Sequence, residues 1–112
     1  MASLLWTQSI AAGAIFRPLD GWQYEYVPVG GRIQILHRAT AVGLRVTVTS
    51  GSDTLQERSP VPAGGTSGVT PSANDVPLIS DYVAGGDRIK INYENPTGGA
   101  IIVDGVIDYS TF

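Results

Sequence analysis

The chain has 112 residues, a formal charge of −3 and no cysteine. It is sized for one domain and long enough to close a core without a disulfide or a metal. Charged residues are only 15%, against roughly 25% in an average soluble protein. Charges this sparse leave surface for other protein to cover. The acidic balance, with a pI near 4.8, argues against a nucleic-acid partner, which calls for a basic patch. The basic residues (Arg17, Arg32, Arg38, Arg45, Arg58, Arg88 and Lys90) are scattered along the chain without a run. No stretch approaches the ~18 apolar residues of a membrane span.

Residues 1–16 carry no charge. Their apolar run is broken by Thr7, Gln8 and Ser9 and lacks a basic start, so the segment is expected in the mature protein rather than as an export signal. It reads either as an edge strand finishing the core or as an apolar arm. In the second reading Leu4, Leu5, Trp6, Ile10 and Phe16 dock on a neighbouring subunit, and without Lys or Arg they contact protein rather than nucleic acid.

Arg17 to Gly21 is a turn. Trp22, Tyr24 and Tyr26 then alternate with Gln23, Glu25 and Val27, predicting a strand with an aromatic face, which Pro28 ends. That face is either a wall of the core or a platform on which sugar rings stack. After Gly30-Gly31, Ile33, Ile35 and His37 alternate with polar and basic neighbours. Leu44, Val46 and Val48 do so against Arg45, Thr47 and Thr49. Ser50 to Asp53 is a tight turn, and Thr54 to Arg58 pairs back as a short hairpin strand.

Residues 59–77 hold four prolines and three glycines, which precludes a helix or a central strand and predicts a long surface loop. Val76 to Val83 returns to strand. Strict alternation follows at Arg88–Glu94 and resumes at Ile101–Tyr109. The Asn95-Pro96-Thr97-Gly98-Gly99 turn between them predicts a hairpin.

About eight short strands and no 3.6-residue apolar period predict an all-β fold, a single antiparallel β-sandwich. The expected layout is an arm or edge strand over 1–16 and a sandwich domain over 17–112, with the long loop at 59–77.

Reactive groups are few. His37 is the single histidine and falls on the inward series of its strand, where a satisfied core residue is the simpler reading. Without a second histidine or any cysteine, a transition-metal site needs three carboxylates beside it. A serine hydrolase needs His37 paired with a Ser and an Asp across the fold, and no Gly-x-Ser-x-Gly elbow supports one. Glu25, Glu57 and Glu94 are the only glutamates. Asp104 and Asp108 share a strand face but lie about 13 Å apart, beyond the about 5–10 Å that a glycosidase's two carboxyls need, and read as outward-facing solvated acids. Ser50–Asp53 and Asn74-Asp75 are explained by turn chemistry rather than calcium binding. The glycine pairs lack the strand–turn–helix setting of a phosphate loop. No catalytic, cofactor-binding or metal residue is assigned, and no cofactor is expected.

The run from Ala84 through Asn95-Pro-Thr-Gly-Gly to Asp108, with the uncharged N-terminal segment and the Gly/Pro/Ser stretch at 59–77, resembles the small jelly-roll-like β-sandwich proteins of virus particles. The likeness is strongest to the decoration, or cement, proteins of tailed-phage capsids. The resemblance implies a non-enzymatic protein made in the host cytoplasm and carried on the capsid surface. It further implies a homo-oligomer, a trimer above all, seated on the capsid protein lattice, with no nucleic acid or membrane bound. The basic arm by which many coat proteins hold genome is missing, which favours an outer accessory subunit over a shell subunit. The alternative is a carbohydrate-binding β-sandwich using Trp22, Tyr24 and Tyr26.

Overall fold

The computed structural model describes residues 2–51, 53–64, 71 and 78–111. Among them are eight strands and no helix: β1 (Ala2–Ile10), β2 (Ile15–Phe16), β3 (Gly31–Ala39), β4 (Arg45–Ser50), β5 (Asp53–Pro60), β6 (Ile79–Val83), β7 (Ile89–Glu94) and β8 (Ile101–Thr111). Their alternation is a consequence of the pleat. Every second residue of β3, β4 and β7 is buried, and the residues between are half-buried or exposed.

The strands form two four-stranded antiparallel sheets, one in the order β1-β8-β3-β6 and the other in the order β2-β7-β4-β5. The pairings β1·β8, β2·β7, β3·β6 and β4·β5 are those of one long double-stranded ribbon whose tip is the β4–β5 hairpin. Rolling that ribbon adds the contacts β3·β8 and β4·β7. Two packed sheets with this strand order are a jelly roll. The core lies between them: Ile33, Ile35, Val46, Val48, Ile89, Ile91 and Ile107 are shielded from solvent.

Three expectations change. First, β7 and β8 do not form a hairpin, because they lie in opposite sheets. The link between them crosses the sandwich and is organised by Asn95, which is 1% exposed. Its Nδ2 donates to the carbonyls of Ile10 and Gly99, each at 2.8 Å, and its Oδ1 accepts from the Thr97 amide and hydroxyl. The Asn-Pro-Thr-Gly-Gly run is therefore a corner. Second, residues 22–26 are not a strand. Successive backbone bonds from Trp22 to Leu19 and from Glu25 to Trp22 coil the chain, and Tyr26 makes only an isolated bridge to Arg88. Third, strand β5 runs through Ser59 and Pro60, shortening the expected loop. Most of 59–77 lies outside the described residues.

β1 is a strand at the border of its sheet, paired with β8 over all nine residues without a register break. Of the segment 1–16 only β1 and the short β2 are strands, and both take part in the roll.

Candidate functional site

The centre of the core is polar. In the β1–β8–β3 sheet, Trp6 and His37 both face Gly105 from opposite sides. A Cβ on Gly105 would lie 2.3 Å from the indole carbons of Trp6, so glycine is what lets the ring lie across the strand. Tyr93 comes from the other sheet and meets both, with ring centroids 6.3 Å from Trp6 and 5.6 Å from His37. The Tyr93 hydroxyl lies 3.1 Å from His37 Nδ1. Burial pushes the His37 pKa down to about 4, with a Gln56 side-chain hydrogen bond acting in the opposite sense. Burial also pushes the Tyr93 hydroxyl far above the usual tyrosine value. His37 is 2% exposed, so the only imidazole is a neutral, sealed core group.

The predicted docking residues separate. Trp6 and Ile10 are buried in the protein's own core, and Leu4 and Phe16 pack half-buried against it, with Phe16 stacked on Tyr93. Leu5 alone of the five is exposed.

The aromatic trio separates too. Trp22 meets Tyr24 edge-on and Tyr24 meets Tyr109, which makes these two a capping layer over the core. Tyr26 points outward, under the Arg88 guanidinium at 5.3 Å.

The acids also differ from expectation. Asp104 is 3% exposed, because it sits mid-sheet with Thr7 donating to it from β1 and Arg38 opposite on β3. Asp108 is half-buried and accepts from Ser3.

One open polar pocket was not legible in the sequence. Arg17, Asp20, Arg88, Lys90 and Asn92 line a space of about 320 Å³ on the outer face of the β7 sheet. The alternation of 88–94 placed Arg88, Lys90 and Asn92 outward; what no pattern announced was the arrival of Arg17 and Asp20. Arg17 Nε donates to Asn92 Oδ1 at 3.0 Å. Arg88 grips Glu25 Oε2 through Nε at 2.7 Å and a terminal nitrogen at 2.5 Å, holding that carboxyl below its ordinary pKa. Asp20 in the lining and Glu25 bound to Arg88 offset most of the charge of the three cations Arg17, Arg88 and Lys90. Among the described residues, no group of three or more His, Asp or Glu side chains could hold a metal ion, and no helix is long and apolar enough to cross a membrane.

Comparison with protein-family models, curated proteins and solved structures finds no match.

The remaining feature is the β1 edge. The backbone of Ile102 turns to β3: its carbonyl accepts from the Thr40 amide at 2.9 Å, and its N–H donates to Thr40 Oγ1 at 3.4 Å. Alternation then turns the backbone of Ile101, Val103, Gly105, Ile107 and Tyr109 towards β1. Their partners are Ile10, Gln8, Trp6, Leu4 and Ala2, and these spend their N–H and C=O groups on β8. The groups of Ser3, Leu5, Thr7 and Ser9 face away from the sheet. Those four residues are exposed, and no backbone group among the described residues bonds to them.

Proposed function

We propose that the chain is a non-enzymatic structural protein of a virus particle, a decoration or accessory subunit on a tailed-phage capsid that works by lying against copies of itself and the shell lattice. The observation that carries this reading is the sealing of the core. Jelly rolls serve as capsid subunits, as lectins and as the cupin scaffold of enzymes. The group an enzyme on this scaffold would most readily use, the single imidazole of His37, is closed between the sheets with Tyr93, and the open pocket beside Arg88 is lined by one carboxylate and no histidine. The outer surface is thinly charged and exposes Leu5, Ile15, Tyr26, Val29, Val42 and Tyr82. Apolar area of this kind stabilises a contact by about 25 cal/mol per Å² removed from water.

The carbohydrate-binding alternative calls for Trp22, Tyr24 and Tyr26 on one face, and the place of Tyr26 beside Arg88, apart from the other two rings, speaks for the structural reading. The test is the protein inventory of purified, nuclease-treated particles from the source that encodes the chain. Recovery at stoichiometric copy number on the outer surface is expected. Its absence from particles that are otherwise complete would overturn the proposal.

A further inference from the structure

We infer that two copies of the chain pair antiparallel through their β1 edges, joining the two four-stranded sheets into one of eight strands about a two-fold axis at Trp6. The inference rests on the structural-subunit reading and names the partner of its barest surface.

The two sheets have four border strands, β1, β6, β2 and β5. Exposed strand edges are templates for another chain, and proteins blunt them with short strands, charges, prolines or bulges. β2 is two residues long. β6 is five residues long and carries Asp81. β5 carries Asp53, Glu57, Arg58 and Pro60, breaks register twice against β4, and holds Arg58 at a φ of 44°. β1 alone has none of these devices: nine residues without charge, proline, glycine or bulge.

Self-complementarity follows from which groups are free. Antiparallel partners must both present their N–H and C=O to one another, so the register has to match the set Ser3, Leu5, Thr7 and Ser9 with itself. Pairing Ser3 with Ser9 and Leu5 with Thr7 does so, and it is the one register that engages all four residues of both copies. It forms about eight backbone hydrogen bonds across the junction. The Ser9 carbonyl, which now accepts from the Gln8 side chain at 3.2 Å, releases that side chain on pairing. A two-fold axis normal to the sheet keeps outward residues outward, so Leu5 packs on Thr7 of the second copy. No like charges meet, because the strand has none.

Pairing of this kind closes with two copies, whereas the virion resemblance implies trimers. Light scattering on the purified full chain therefore separates them: a mass twice 11.8 kDa is expected. Leu5→Pro removes an N–H that faces away from β8, so the fold keeps its ladder while each dimer loses two bonds. At about tenfold for each, self-association weakens roughly a hundredfold. Leu5→Lys, which leaves the ladder to β8 intact and sets two like charges diagonally across the junction to block the pairing, is the second variant should proline disturb the strand. Amide exchange reads the register: in the pair, Ser3, Leu5, Thr7 and Ser9 become as protected as Leu4, Trp6, Gln8 and Ile10.

A monomer or trimer at high micromolar concentration overturns the inference, as does an oligomer that persists in a folded Leu5 variant or leaves those four amides unprotected. None of these outcomes touches the particle inventory, so the two proposals fail separately.

Discussion

Lowering the pH below 6.5 is expected to destabilise the protein through His37. Unfolded, His37 has the ordinary value of 6.5; folded, burial holds it at about 4. The folded chain therefore binds fewer protons than the unfolded chain between these values, and stability falls as pH drops through that window. The contribution is fully present above pH 6.5 and lost by pH 4. At about 1.4 kcal/mol per pH unit, the loss from pH 7.5 to pH 5 is about 2 kcal/mol, roughly 8 °C in Tm for a chain of this size. The groups facing the ring do not compete in the window, since Gln56 does not titrate and the Tyr93 hydroxyl is pushed far upward. In the Nε2–H tautomer that hydroxyl donates to Nδ1, and a second ring proton displaces the bond. Urea unfolding at pH 7.5, 6, 5.5 and 5 measures the slope. His37→Gln is expected to be less stable throughout but level across the same range. A level wild-type profile, an equal slope in the variant, or an imidazole resonance titrating near 6.5 in the folded protein would refute the reasoning.

Asn95→Ala leaves the carbonyls of Ile10 and Gly99 without their shared donor and is expected to cost about 3 kcal/mol in urea unfolding; a loss within experimental error would show that water takes its place. Gly105→Ala drives a methyl into the Trp6 indole and is expected to cost about 1–3 kcal/mol, with a changed near-UV circular dichroism from the displaced ring. Glu25 is held below its ordinary value of 4.5 by Arg88, so its contribution is present above 4.5 and lost as pH falls through the lower folded value. Glu25→Gln is expected to remove that acid-dependent loss and to speed amide exchange at Ile89, whose N–H donates to the Glu25 carbonyl.

The sequence disclosed burial better than it disclosed partners. The alternation of Ile33, Ile35 and His37, and of Ile89, Ile91 and Tyr93, reports which side chains leave water, and those side chains are the core. It is silent on which strand lies alongside. That is why β7 and β8, adjacent in sequence and joined by a turn-rich link, read as a hairpin although the link spans two sheets. The β4–β5 hairpin was legible because a short polar turn leaves its flanking strands no other neighbour. At Trp22–Tyr26 the alternation was genuine and the inference from it failed. Gly21 at a φ of 83° and the Glu25 carboxylate accepting from its amide at 3.2 Å build a coil, and local side-chain-to-backbone bonds of this kind outcompete a ladder. Asp104 shows the converse: its place on an outward face was legible, but its burial depends on Thr7 and Arg38 arriving from two other strands.

The same topology that seals the reactive groups also leaves the outer edge of β1 unpaired among the described residues. A ribbon rolled about its β4–β5 tip brings its open end, β1·β8, round to meet β3, so that β8 gains two neighbours and β1 keeps one. β1 is thus a border strand by topology. The roll provides no cover for it among the described residues, and its sequence provides no charge. Its inner face still carries Trp6 and Ile10 into the core, which fixes the strand flat and in register with β8. A mobile arm would pay ordering entropy on docking. Here that ordering is completed in folding, so a partner strand would meet the donors and acceptors of Ser3, Leu5, Thr7 and Ser9 already aligned.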